Sequence, residues 1–310
     1  MRILFMGTPE FAVPSLERII KDGHELCGVI TQPDRPRGRG LAICPPPVKI
    51  AAEKYGVSVF QPQSLKGVSV DAYIRDLSPE LIVVVAYGRI LPESVLNIPP
   101  LGCVNVHASL LPAYRGAAPI QWAIINGEKR TGITTMHMAK GLDTGDIILM
   151  EALNIGENET FGELHDEMME LGACVLSSTL TLIAKNEAPR KPQGDTGVSY
   201  APLIDNSVAT VDFRKPARQI YNLVRALSPN SGAMAILNGM PVKIYEAVLS
   251  DEPVSCAPGT ILEADGGIGV SCGDGRQIII TQIQQKCCKK MTAPDYLRGH
   301  KAAASGRFHC

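Results

Sequence analysis

The sequence predicts an α/β protein: a Rossmann-like parallel-sheet N-terminal domain followed by a small C-terminal β-barrel of OB-like type. Three observations predict it. A strand, a helix and a second strand follow one another within the first ~30 residues, the order of a βαβ unit and hence of a parallel sheet. Leu81 to Ala86 (LIVVVA) is a continuously apolar strand, as expected where both faces of a sheet are covered. Beyond Ser207 the helical periods give way to short strands separated by turn signals, the pattern of a small barrel. A chain of 310 residues is long for one average domain and suggests two. We therefore expect a parallel-sheet domain over residues 1–188, a linker over 189–206 and a barrel over 207–310.

The elements follow in order. Arg2 to Gly7 (RILFMG) is a short buried strand, and Pro9 suits the first helical turn after it. Phe11, Val13, Leu16, Ile19 and Ile20 repeat at helical spacing, and Glu25 to Gln32 is the second strand. The dinucleotide fingerprint G-x-G-x-x-G is absent, with only Gly7 after the first strand, which argues against NAD. Pro33 to Pro47 holds three arginines (Arg35, Arg37, Arg39), two glycines and five prolines, so it is neither a regular helix nor a central strand. A loop this long is either functional or a solvated connection; arginines on such an arm suit phosphate contacts. A short helix (Val48 to Tyr55), a strand (Val57 to Gln61) and a helix (Val70 to Leu77) lead to the apolar strand.

That strand ends in a loop, Tyr87 to Pro92, and the next strand, Cys103 to His107, ends beside a Pro- and Gly-rich loop. Open α/β sheets bind ligands in the crevice beyond such strand ends. A helix starts near Pro119 and carries Trp122, the only tryptophan, expected in the core. Strands over Thr131 to Met138 and Asp146 to Ile155 precede a long amphipathic helix, Thr160 to Lys185. From Asn186 the pattern collapses into Pro, Gly, Asp and Lys, as in a linker. A helix over Ala217 to Leu227 then introduces the barrel strands, near Ala235, Val242 to Val248, Gly259 to Ala264, Ile268 to Ser271 and Gln277 to Gln284.

Composition narrows the function classes. No unbroken apolar run approaches the ~18 residues of a membrane span, and the start lacks the h-region of a signal peptide, so a cytoplasmic protein without a membrane partner is expected. Nine cysteines, odd in number and without a C-x-x-C pair, read as free thiols rather than a zinc site or a disulfide framework. Residues from Ser207 onward carry 12 Lys and Arg against 8 Asp and Glu, while residues 1–206 carry 18 against 23. A basic tail beside an acidic domain suits a polyanionic partner, though an imbalance of this size also arises without one. Neither a Walker motif nor G-x-S-x-G is present, which disfavours nucleotide hydrolysis and serine hydrolysis.

Asn105, His107 and Asp143 are the candidates for chemistry. Asn105 and His107 are two apart on a strand and so share a face; Asp143 lies in the Gly-bounded loop GLDTGD. An amide, an imidazole and a carboxylate together suit acyl-group chemistry, with donors for an oxyanion and groups to move a proton. Residue types alone leave a purely structural Asn-x-His equally open. His137 faces away from Met136 and Met138 and reads as structural.

The motifs NVHASLLPAYRGAAPIQW and GLDTGDI closely resemble those of the folate-dependent formyltransferases. RILFMGTPEFAVPSL, TQPDRPRGRG, VVVAYGRILP and the Lys289-Lys290-Met291 segment extend the resemblance over almost the whole chain, toward the members that act on methionyl-tRNA. The resemblance implies transfer of the formyl group of 10-formyltetrahydrofolate to the α-amino group of methionyl initiator tRNA by a monomer that needs no metal. It implies Asn105, His107 and Asp143 as catalytic. Tyr87, Gly88, Arg89, Ile90 and Leu91 with Ser109, Leu110, Leu111 and Pro112 would be folate-binding. Arg35, Arg37, Arg39, Lys289 and Lys290 would be tRNA-binding. The family's usual basic residues are replaced at Leu41, Ala42 and Ala113, all on the tRNA side. Relatives acting on amino-sugar nucleotides, or hydrolysing formyl-folate, would share the N-terminal domain but neither the Arg-rich arm nor the basic barrel. An RNA-binding module with a decayed catalytic domain would not keep all three candidate residues.

Overall fold

The central strands of the N-terminal sheet, Arg2–Gly7 and Leu81–Val85, are apolar after Arg2 and buried on both faces, and that burial sets the architecture. The computed structural model describes residues 1–37, 42–300 and 306–309, without the side chains of Arg37 and His309. The chain divides into two units, one of residues 1–119, 131–154 and 165–201, the other of residues 120–130, 155–164 and 202–310.

The first unit is built on strands β1 (Arg2–Gly7), β2 (Glu25–Ile30), β3 (Val59–Phe60), β4 (Leu81–Val85), β5 (Cys103–His107), β6 (Arg130–His137) and β7 (Ile147–Asn154). Their order is β7-β6-β5-β4-β1-β2-β3. All pairs from β3 to β5 are parallel. Leu4, Met6, Ile82, Val84 and Cys103 form one core cluster with Val70 and Ile74 of the helix Val68–Leu77. The alternate residues Ile3, Phe5, Val83, Val85, Val104 and Val106 are equally buried, so the continuous apolar run has its expected cause: two covered faces. The chain reverses direction of growth at β1, leaving a switch point between β1 and β4 where such sheets open a crevice.

Strand β6 departs from the all-parallel expectation. It pairs antiparallel to β5, with Val104 opposite His137 and His107 opposite Thr134. Its end therefore lies beside the start of β5, where Met138 N–H donates to the Cys103 carbonyl at 2.8 Å. Such a strand beside an otherwise parallel sheet is common in mixed sheets. Its consequence is local: the loop carrying Asp143 begins at the far end of the sheet from His107 and must double back to reach it.

The helix Phe161–Ala184 is, among the described residues, the one long and apolar enough to cross a membrane by length and composition. Its stripe of Leu176, Leu180 and Ile183 is buried, Thr179 hydrogen-bonds Thr135 of β6 at 2.7 Å, and Gly172 faces Val106 and Ile133. It is a core helix, its hydropathy explained by the sheet face it covers.

Residues 189–201, expected to belong to a linker, are strapped along the first unit. Ile147 and Lys191 exchange backbone hydrogen bonds of 2.8 and 3.1 Å, and Tyr200–Ala201 pairs in parallel with Arg115–Gly116.

In the second unit, strands β8 (Ala233–Leu237), β9 (Met240–Ser250), β10 (Ile261–Ala264), β11 (Gly267–Ser271), β12 (Gln277–Gln285), β13 (Met291–Thr292) and β14 (Phe308–His309) form an antiparallel sheet of order β10-β11-β12-β9-β8-β14, with β13 on β12. A bridge between Thr260 and Arg307 and a 2.9 Å bond from Phe308 N–H to the Gly259 carbonyl join the two ends into a ring, which removes the exposed edges. Ile220, Val224 and Leu227 of the helix Ala217–Leu227 pack into its core. Trp122, expected in the core, is half-buried instead. Its indole N–H donates to the Pro202 carbonyl at 2.8 Å, and its ring lines a groove of about 780 Å³ shared with Lys215 and Arg218. The indole needs one polar partner, and the Pro202 carbonyl supplies it near the surface.

Candidate active site

Strand alternation places the first two residues. Cys103, Asn105 and His107 share one face of β5, with Val104 and Val106 on the other. Cys103 belongs to the apolar core on that face, so Asn105 and His107 continue it as polar steps. The Asn105 carboxamide is half-buried and makes no hydrogen bond among the described residues. His107 is buried, and its Nε2 lies 3.0 Å from the Tyr114 carbonyl. A carbonyl can only accept, so Nε2 carries the proton, and Nδ1 is the ring nitrogen left for other partners.

Nδ1 lies 3.7 Å from Asp143 Oδ2. This is beyond a direct hydrogen bond and within the span one bridging polar group can close. The same carboxylate oxygen accepts from Gly116 N–H at 2.8 Å. Asp143 sits at φ +52°, a left-handed conformation that Asp tolerates better than most residues. Two residues on, Gly145 touches β6 so closely that a Cβ there would fall 1.6 Å from the His137 carbonyl oxygen. Only glycine lets the loop double back at this point.

The loop after β5 is braced from within. Ser109 is buried and its hydroxyl donates to the Ala113 carbonyl at 2.6 Å. Thr134 donates to the Ser109 carbonyl at 2.6 Å and accepts from Leu111 N–H at 3.1 Å. Leu111 packs with Met136 and Ile147, leaving Leu110 and Pro112 half-buried. The loop after β4 is organised differently. Its Tyr87 carbonyl accepts from Thr8 and from Gln32, each at 3.1 Å. The Tyr87 and Leu91 side chains join the core, while the backbone turns at Gly88 (φ +81°) and exposes Ile90. Arg89 donates to the Gln63 carbonyl at 2.6 Å. The Tyr87 hydroxyl is buried without a hydrogen-bond partner among the described residues, and burial raises its pKa. An orphaned buried hydroxyl beside a strand-end loop is the type of group a ligand satisfies.

The structure thus brings His107 and Asp143 to 3.7 Å and places Asn105 on the same strand face as His107. Residues 1–180 match the family described as formyl transferase, and residues 203–301 match its C-terminal domain. The chain belongs to the formyl transferase family. Methionyl-tRNA formyltransferase of Pelotomaculum thermopropionicum is 49% identical over 302 residues, covering 96% of both chains. That of Clostridioides difficile is 47% identical over 301 residues, covering 97% of both. Among solved structures, the sugar 3N-formyl transferase WlaRD, determined with dTDP and 5-N-formyl-THF, superposes with a TM-score of 0.69 at 21% identity, over 93% of this chain and 99% of its own. HypX from Aquifex aeolicus, in complex with tetrahydrofolic acid, gives 0.67 at 18% identity, over 96% of this chain and 47% of its own. At these identities the two structures speak to the formyl transferase fold.

Arg35 is exposed and donates to Gln32 at 3.2 Å. Arg39 and the Arg37 side chain fall outside the described residues. Lys289 and Lys290 are exposed, with Lys290 Nζ 4.6 Å from the Tyr245 ring centroid. Sequence reasoning passes over Gln193, whose carboxamide hydrogen-bonds Arg115 and the Asp143 loop. Its segment has no periodicity that would mark it.

Proposed function

We propose that this chain transfers the formyl group of 10-formyltetrahydrofolate to the α-amino group of methionyl initiator tRNA. The observation that carries this reading is the placement of the Asp143 carboxylate against the free ring nitrogen of His107, beside the unengaged Asn105 carboxamide. Near-half identity over almost the full chain to methionyl-tRNA formyltransferases supports the choice of acceptor. The basic C-terminal segment, after the formyl transferase domain, supports a phosphate-rich partner.

In this reaction the free amine attacks the formyl carbon, giving a tetrahedral intermediate. Asn105 Nδ2 donates to its oxyanion, and His107, when it carries a proton on both ring nitrogens, adds a second donor through Nδ1 while the Tyr114 carbonyl accepts from Nε2 and fixes the ring. An oxyanion donor of this kind lowers the barrier by about 2.7–4 kcal/mol. Asp143 orients His107 and holds the water that carries the proton from the attacking nitrogen to the departing folate nitrogen. The carbon–nitrogen bond to folate then breaks, leaving formyl-methionyl-tRNA and tetrahydrofolate. The loops Tyr87 to Leu91 and Ser109 to Pro112 flank the folate, the first through its exposed backbone turn. Residues 207–310, with Arg35, Arg37 and Arg39, meet the tRNA. No metal takes part in these steps.

The test is one assay: formyl transfer from 10-formyltetrahydrofolate to charged initiator tRNA, with an amino-sugar nucleotide as competing acceptor. Preference for the sugar would overturn the acceptor while leaving the chemistry in place.

A further inference from the structure

We propose that Gln193 is a positioning residue: its carboxamide sets the Asp143 carboxylate against His107. This rests on the active-site reading above and assigns a role to a segment that composition marks only as a linker.

The geometry is complete on every side of the group. Gln193 Nε2 donates to the Asp143 and Gly145 carbonyls, each at 2.8 Å. Its Oε1 accepts from Arg115 Nε at 3.1 Å and Nη2 at 2.6 Å. One carboxamide has two N–H donors and two acceptor lone pairs, so these four bonds use all of them, with a weaker 3.8 Å contact from Nε2 to Met136 Sδ beside them. Arg115 is itself buried, and its backbone N–H donates to the Ser199 carbonyl at 2.9 Å. The next residue, Gly116, supplies the N–H that binds Asp143 Oδ2. Gln193 therefore ties down both the backbone of Asp143 and the neighbour of the group that holds its carboxylate.

The loop needs such a tie. Asp143 is held at φ +52°, a conformation less favourable than the right-handed one even for Asp, so contacts from the surrounding structure help to hold it. The loop also doubles back against the run of β6, where Gly145 admits no side chain. A displacement of about 1 Å at a reacting group costs up to roughly 10²-fold in rate. The 3.7 Å separation of Asp143 from His107 is set by the two carbonyl bonds from Gln193 more directly than by any contact of the carboxylate with the ring.

The substitution Gln193→Glu keeps length and the acceptor for Arg115 but places an oxygen against two carbonyl oxygens. Gln193→Met keeps length and removes the donors without adding charge. In the full chain, each should lower kcat by roughly 10-fold with KM for both substrates nearly unchanged; the melting temperature should hold in Gln193→Glu, which keeps the Arg115 acceptor, and fall in Gln193→Met, which leaves the buried Arg115 without it. In an Asp143→Asn background the same substitutions should cause no further loss, because a residue acting through Asp143 has nothing left to position. Unchanged kcat in both single variants, or a full multiplicative loss in the Asp143→Asn background, overturns the proposal. So does a loss of kcat in Gln193→Glu that tracks a fall in its melting temperature. Normal turnover in Asp143→Asn alone instead removes the active-site reading on which the proposal rests.

Discussion

His107 and Asp143 are mostly buried, with 7% and 15% of their side chains exposed, and each is held by a backbone group at 3.0 Å or less. Lys289, Lys290 and Arg35, the residues expected to meet RNA, are exposed. Lys290 lies over the Tyr245 ring, and Arg35 reaches Gln32 through a 3.2 Å bond. The difference follows from what each task requires. Holding a reacting atom depends on geometry to a fraction of an ångström, which only buried, cross-braced side chains keep. Attracting a phosphate backbone depends on charge and reach, and long side chains in water keep both. Substitutions in the first region should therefore change turnover, and those in the second should change binding and its salt dependence.

The largest effect is expected at Asn105 and Asp143. Asn105→Ala or Asp143→Ala should lower kcat at least ~10²-fold, the scale of a lost oxyanion donor, with tRNA affinity nearly unchanged. Single-turnover rates and filter binding on the same variants check this. Near-normal turnover in either would break the comparison at its catalytic end.

The arm comes next. Replacing Arg35, Arg37 and Arg39 together with Ala should weaken tRNA binding. The dependence of log K on log salt should flatten by about one for each phosphate no longer neutralised, leaving kcat at saturating tRNA in place. An unaltered salt slope would mean that the arm does not touch phosphate. Lys289→Ala with Lys290→Ala should act in the same direction and more weakly, since two charges are removed rather than three. A larger effect here than on the arm would move the main electrostatic interaction to the barrel.

Much of this is legible in the sequence, for a reason that also marks where legibility ends. The strand Leu81–Val85 is readable because both of its faces are covered and every residue is apolar. Asn105 and His107 stand out because they interrupt that pattern at a strand end. The antiparallel direction of β6 leaves no such mark, since strand composition does not encode direction. Residue type alone puts Trp122 in the core, but its indole N–H is satisfied by the Pro202 carbonyl near the surface. Gln193 is the clearest case. Its partners Arg115, Asp143 and Gly145 are all distant in sequence, and its segment is dominated by turn formers. A polar residue placed by tertiary hydrogen bonds alone carries no local signal.

The smallest expected effect separates burial from chemistry. His137 is as buried as His107 and sits on the neighbouring strand, but its Nε2 has no hydrogen-bond partner among the described residues. Burial lowers its pKa below the ordinary 6.5, aided by Arg190 and opposed by the Pro189 carbonyl and Asp146. The unfolded chain therefore takes up a proton near pH 6.5 that the folded chain accepts only at lower pH. Stability is unaffected well above that value and declines as pH falls from about 6.5 toward the folded pKa. His137→Leu should remove this part of the decline, so the drop in melting temperature between pH 7.5 and pH 5.5 becomes smaller than in the parent chain. Turnover at pH 7.5 should stay within about the margin of an ordinary buried substitution that leaves the fold intact. Loss of turnover on the scale of Asp143→Ala would show that the site reaches this second histidine, whose partner Val104 lies on the other face of the sheet from His107, and that burial marks the chemistry more broadly than the hydrogen bonds do.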